Sequence, residues 1–427
     1  MNQPTLFDDG PSFANRATKS VTFRGKLDLP IHRWYRLTPS FSPRLANDIA
    51  DHFGLASEDF VLDPFSGVGT VPLCMKYRRI PACSVELNPY LHFVGTVKTR
   101  DYSDVTALEA LFNLFRSTLE AALAAVPFDS NPMRYLLSNA AAIPPINHPY
   151  RWWSPGNLAQ LVCLRKIIGE FRAPLEQLDL LKMAVLGILV PVSNAKHNHV
   201  SLTFAKSPLP TVKVAEILGR QLRYIADDLR AVSDQTTSKV TIYQGNSKEL
   251  GRVLHGTPKV SAVITSPPYP NRFSYARETR PHLFFFDFIQ SASAVGRLET
   301  DAIGGTWGRA TSVLTQGIAP KNEFVKNLLA PYLRDIRSNG DLMANYVVKY
   351  FNNMHDHAEQ IADVCASQAR LAYVIGNSKF YDQPLPSDEI LAAIFGNVGF
   401  RLERIERMRK RQSKSGLYEA VVFMRRP

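Results

Sequence analysis

The stretch Asp59–Glu86 constrains the fold more than any other part of the chain. DFVLDPF is a short apolar run that ends in an acid and a proline. GVGTVPLCMKYRR follows with helical character, and IPACSVE is a second strand-like run. Two strands joined through a helix must lie parallel, so this β-loop-α-β unit predicts a parallel sheet and an α/β fold. Ligands of such sheets bind outside the carboxyl ends of the strands, where the acid and the two glycines fall. Just upstream, PRLANDIADHF places Leu45, Ile49 and Phe53 on one face of a helix that starts at Pro43 and ends near Gly54.

Residues 101–236 change texture to long helical periodicity, broken by Pro-rich stretches at 143–155 and 207–210. The β/α rhythm resumes with VTIYQGN, VSAVITSPPY and a helical run through RPHLFFFDFI. A polar, Gly-rich stretch near 301–318 and helices over about 321–366 come next. ARLAYVIGNS, the helix DEILAAIFGN and two final strands, FRLERIERM and LYEAVVFM, complete the chain. The expected organisation is a mobile arm over 1–20, a doubly wound α/β domain formed by 21–100 and 237–427, and a helical insertion over 101–236.

Composition narrows the class. At 45% hydrophobic and 21% charged residues the chain can bury a core, and 50 basic against 38 acidic residues leave it at net +12, which suits a polyanionic partner. No apolar run approaches the ~20 residues of a membrane helix, and MNQPTLFDDG lacks the features of a signal peptide, so a soluble, intracellular protein without a membrane partner is expected. Cys74, Cys83, Cys163 and Cys365 stand far apart with no CxxC, against a disulfide framework or structural zinc. His197 and His199, or His355 and His357, lack metalloprotease spacing, and no metal is expected.

In the turn after the first strand, Gly67 and Gly69 remove side chains that would block close backbone approach, and Glu86 ends the next strand where it can accept from a ribose diol. The third glycine of a dinucleotide fingerprint is missing, with Thr70 just after the second, and there is no phosphate loop. A nucleoside without a phosphate chain fits better than NAD or ATP.

Here the chain resembles the AdoMet-dependent DNA amino-methyltransferases, which modify exocyclic amines of cytosine or adenine. DPFSGVGT is similar to their cofactor motif and VELNP (85–89) to the acid that follows it. The resemblance implies a Rossmann-like fold, S-adenosyl-L-methionine (AdoMet) as cofactor, and a binding set of Asp63, Pro64, Phe65, Gly67, Gly69, Thr70 and Glu86. Asp63 would lie near the methionine amine, Phe65 beside the adenosine and Glu86 on the ribose. HRWYRLTPSFSPRLANDIADHF (32–53) is similar to the element that closes over the methionine end, with Phe41 and Ser42 as contacts. Gln244-Gly-Asn-Ser-Lys-Glu249 resembles the motif contacting the adenine amine; its usual acid is Asn246 here, whose amide oxygen can accept the same bond.

Ala262–Arg272, AVITSPPYPNR, leaves a strand and enters a loop stiffened by prolines. An exocyclic amine is a poor nucleophile because its lone pair is delocalised, and acceptors must hold the nitrogen in line with the methyl donor. The Ser266 hydroxyl and the Pro267 carbonyl can accept from its two N–H groups, Pro268 stiffens the loop, and Tyr269 offers a flat face to a base taken out of the stack. SPPY resembles the catalytic motif of the same family, its Ser form being more typical of cytosine-N4 enzymes. No Pro-Cys occurs, which argues against attack through cytosine C5.

Arg272 and the basic link Arg407, Arg409, Lys410, Arg411 and Lys414 are the expected DNA contacts. Trp152-Trp153 either stack on bases or anchor the insertion, and the reader of sequence is the insertion, the 301–318 stretch, or both. The reading is a site-specific methyltransferase acting on a flipped cytosine N4 in double-stranded DNA, in a prokaryotic, nucleoid-associated cytoplasmic setting, with a cognate restriction endonuclease as a further partner. Adenine-N6 methylation, an RNA substrate and an inactive DNA-binding module are the alternatives.

Overall fold

In the computed structural model, which describes residues 29–35, 37, 40–125, 131–196, 202–411 and 415–427, a seven-stranded sheet organises the chain. Its strands are β1 (Val61–Asp63), β2 (Ala82–Glu86), β3 (Val240–Gln244), β4 (Val260–Thr265), β5 (Cys365–Gly376), β6 (Arg401–Lys410) and β7 (Tyr418–Arg425). Their order across the sheet is β3-β2-β1-β4-β5-β7-β6. Neighbours from β3 to β5 pair in parallel, and only β7 runs against the others. The chain therefore winds outward from β1 in one direction and restarts at β4 in the other. The reversal leaves a crevice between the carboxyl ends of β1 and β4.

Strand faces alternate as a two-residue period requires. Val61, Ala262, Ile264, Ala372 and Val374 pack with Leu45, Ile49 and Phe53 of the helix Pro43–Phe53. Leu62, Val263, Leu371, Tyr373 and Ile375 meet the helices Glu323–Arg337, Asp341–Val364 and Ser387–Asn397 on the opposite face. With helices on both sides, β1 and β2 are buried at every position, which explains why they appear as continuous apolar runs in the sequence.

Helices Val105–Ala124, Pro132–Ser138, Pro155–Glu170, Leu175–Ile188 and Val214–Val232 occupy the segment between β2 and β3. Their buried residues form one cluster with Tyr90, Leu91, Val94 and Val97 of the helix Pro89–Thr99. Trp153 is wholly buried in this cluster and donates its indole N–H to the Leu189 carbonyl at 2.9 Å, while Trp152 packs edge-on against Phe204. Both tryptophans anchor the helices among which they lie.

A second helical segment, Tyr275–Val364, separates β4 from β5, and its Gly-rich part contains the helix Arg309–Thr315. A small ribbon, Ser378–Phe380 with Gln383–Leu385, has no signal in the sequence. Its turn places Tyr381 and Asp382 at positive φ without the usual Asn-Gly. The expected arm over 1–20 and His197 and His199 lie outside the described residues.

Candidate active site

At the carboxyl ends of β1 to β4 the crevice opens into a cavity of about 320 Å³. One end is built by the loop after β1. Gly67 and Gly69 take positive φ of 52° and 74°, for different purposes. A Cβ on Gly67 would meet nothing within 4 Å, and this residue lines the cavity. A Cβ on Gly69 would come within 2.9 Å of Gly95 Cα, so Gly69 permits two helices to pack closely and does not face the cavity.

Glu86 joins this loop to β2. Its Oε2 accepts from the Gly67 amide at 2.7 Å and its Oε1 from the Asn88 amide at 2.8 Å. Burial dominates over these bonds and pushes the carboxyl up to about 7. Pro64, Phe65 and Thr70 also line the cavity, as do Phe41 and Ser42, whose hydroxyl caps the helix beginning at Pro43 by accepting from Leu45 N at 3.5 Å. Asn246 closes this end; its Oδ1 accepts from Lys248 N at 3.0 Å.

Asp63 sits differently from the expectation. It is 3% exposed behind the cavity wall, where it accepts from Thr265 Oγ1 at 2.6 Å and from the Phe65 amide at 3.1 Å. Burial raises it to about 6. The acid thus ties the loop after β1 to the end of β4. His357, read from the sequence only as not a metal ligand, packs its ring at a tilt of 58° with its centre 4.8 Å from that of Phe65. Its Nδ1 donates to the Ser247 carbonyl at 3.0 Å, so its Nε2 must accept from Tyr373 Oη at 2.8 Å. Burial lowers it to about 4 and keeps it neutral.

The loop after β4 forms the other end. The Ser266 hydroxyl donates to the Val374 carbonyl at 3.1 Å, which leaves its lone pairs as acceptors, one of them toward the Tyr269 hydroxyl. Tyr350 Oη donates to the Pro268 carbonyl at 2.7 Å, bracing the loop from the helix Asp341–Val364. Pro267, Pro268 and Tyr269 line the cavity beside Asn271, Phe273 and Tyr275. The Tyr269 ring lies on the backbone of Gly376, where an added Cβ would come within 3.0 Å of it.

The basic link divides in two. Arg407 and Lys410 are exposed. Arg409 instead lines the cavity, paired with Glu419 at 2.7 Å, and the Arg411 guanidinium lies 5.6 Å from the Tyr269 ring centre while donating to the Asn377 carbonyl at 3.1 Å. Both were expected on the phosphate-facing surface, and the structure turns them toward the loop after β4. Arg272 is exposed at φ 63° between the cavity-lining residues Asn271 and Phe273, and Lys414 lies outside the described residues.

No family model matches the chain. It is similar to the type II methyltransferase M.BsoBI of Geobacillus stearothermophilus, 22% identical over 93% of this chain and 84% of that protein. Among solved structures, TrmN from Thermus thermophilus aligns with a TM-score of 0.31 at 10% identity over 91% of this chain and 50% of that one. The rRNA methyltransferase aviRa from Streptomyces viridochromogenes aligns at 0.33 and 11%, over 96% and 95%. The fold is Rossmann-like. The strand order and the single antiparallel β7 define it.

Proposed function

We propose that the chain is an AdoMet-dependent DNA methyltransferase that transfers a methyl group to the exocyclic N4 of a flipped cytosine. One observation carries this reading: the loops after β1 and β4, nearly 200 residues apart in sequence, face one cavity, with a nucleoside-binding set at one end and amine acceptors at the other. The similarity to M.BsoBI over most of both chains supports it.

The cofactor end fits AdoMet. The Glu86 carboxyl accepts from the Gly67 and Asn88 amides with Leu87 N beside it and retains acceptor capacity for a ribose hydroxyl, and the space beside Gly67 would be filled by any side chain there. Leu37, Phe41, Phe65 and Leu91 supply apolar wall. AdoMet bound there supplies an electrophilic methyl.

At the other end, Ser266 and the Pro267 carbonyl accept from the two N–H groups of the target amine and orient its lone pair. The Pro268 carbonyl is already taken by Tyr350, so Pro267 is the available backbone acceptor in this pair. Tyr269, packed against Gly376 with Arg411 nearby, holds the extruded ring. The N–C bond would form as the donor's S–C bond breaks to leave a neutral thioether, and the methylated nitrogen, now acidic, passes its proton to water; no covalent intermediate with the enzyme is needed.

Duplex DNA is the substrate in this reading, with Arg407, Lys410 and Arg272 on phosphates and a cognate restriction endonuclease as the functional partner. The helices over 101–236 contribute to DNA recognition. The test is methylation of duplex DNA by the purified chain with radiolabelled AdoMet, followed by mass spectrometry of the nucleosides. N4-methylcytosine is expected. N6-methyladenine would reassign the target base, and label entering structured RNA but not DNA would overturn the substrate.

A further inference from the structure

Trp34, Trp152 and Trp153 are 1%, 7% and 0% exposed, whereas Trp307 is 43% exposed. Nearly half of its indole faces solvent. It is firmly held. Gly304, at φ 79°, packs against the loop after β4; its missing Cβ would stand 3.7 Å from Pro268 Cβ and from the Tyr269 carbonyl oxygen. The indole N–H of Trp307 donates to the Arg272 carbonyl at 3.4 Å, and the Arg272 amide donates to Tyr346 Oη at 3.2 Å. The Arg277 guanidinium lies 4.8 Å from the indole ring centre. An exposed aromatic is thus clamped to the segment that continues from SPPY, next to Asn271 of the cavity lining.

We propose that Trp307, backed by Arg277, enters the DNA duplex and stacks in the space vacated by the extruded base. This rests on the DNA-methyltransferase reading above. The surroundings favour a nucleic acid over a protein partner. Arg272 and Arg277, which contact the indole, and Arg309, two residues along the chain, are exposed, which matches a base stack flanked by phosphates. Side chains that wedge between bases offset the unstacking they cause, and an extruded base must be prevented from returning.

Trp307 is the one exposed tryptophan of the four, so its emission reports contact directly. The experiment uses the full chain, AdoMet and a duplex carrying its methylation site, with single-turnover methylation and tryptophan fluorescence as readouts. DNA should quench wild-type emission. Trp307→Ala should slow methylation of the matched duplex by about tenfold to a hundredfold, as loss of one stacking contact implies. An abasic site opposite the target should restore most of that rate, because extrusion is then easier. Trp307→Phe should keep most activity and lose the DNA-dependent quench. Wild-type rates for Trp307→Ala on the matched duplex, or unquenched wild-type emission on saturating DNA, would overturn this inference while leaving the methyltransferase reading in place. A slow Trp307→Ala that the abasic partner does not rescue would likewise reject a stacking role. Failure of the wild-type chain to methylate any DNA would reject the underlying reading instead.

Discussion

The Gly67 amide donates to Glu86 Oε2 at 2.7 Å, so the glycine loop after β1 and the acid at the end of β2 are joined directly. Its protonation has consequences for the cofactor. Burial holds Glu86 at about 7 in the fold, above its usual 4.5, so the folded chain binds a proton that the unfolded chain has lost between those values. Stability contributed by this group is therefore greatest at low pH and declines as pH rises from about 4.5 to 7. In the proposed site, ribose hydroxyls would donate to the ionised carboxylate and favour it. AdoMet affinity should accordingly rise between pH 5.5 and 8 by about tenfold, and binding near pH 6.5 should release protons. Calorimetric titration in buffers of different ionisation enthalpy checks this, and pH-independent affinity in wild type would contradict it.

The two glycines should fail differently. Gly67→Leu points a side chain into the cavity space and should abolish AdoMet binding while the thermal transition persists. Gly69→Ala drives a Cβ against Gly95 and should cost about 1–3 kcal/mol of stability before binding is considered. Thermal unfolding and calorimetry on both variants distinguish them. Equal AdoMet affinity in folded Gly67→Leu would remove this loop from the cofactor site.

Ser266→Ala removes an acceptor but preserves shape, so the chemical step should slow by about a hundredfold or more with little change in AdoMet or DNA affinity. Tyr269→Ala removes stacking worth about 1–3 kcal/mol, and a mismatched target should recover part of the rate. Gly376→Ala, which presses on the Tyr269 ring at 3.0 Å, should behave as a milder form of Tyr269→Ala. Single-turnover rates on matched and mismatched duplexes check all three; wild-type rates throughout would reduce SPPY to a turn.

Neutralising the exposed pair Arg407 and Lys410 should weaken cognate and noncognate DNA alike and reduce the salt slope by roughly 0.9 per lost contact. Arg411→Gln should instead resemble the tyrosine variant, because its guanidinium lies over that ring. Binding isotherms across a salt series separate the two behaviours.

What was legible in the sequence was local. The acid, two glycines and helix after β1 are contiguous, and so are the residues of SPPY; their strands ended where the apolar runs ended, and a parallel sheet places such ends on one edge. The braces on those loops were not legible. Tyr350 and His357 come from a helix about eighty or more residues after SPPY, and only the packing of that helix under the sheet brings them to Pro268 and Phe65. The basic link illustrates the same limit. A count of two along a strand puts Arg407 and Arg409 on one face, but the register slips between them: Arg407 pairs with Ala420 and Arg409 with Glu419. That extra residue turns Arg409 to the cavity and leaves Arg407 in solvent. The sequence by itself determined which chemical groups stand at the sheet edge, because that depends on neighbours along the chain. Tertiary structure alone decided which of them face the cavity, since a bulge, a buttressing helix and the closeness of two glycines are set by contacts between distant segments.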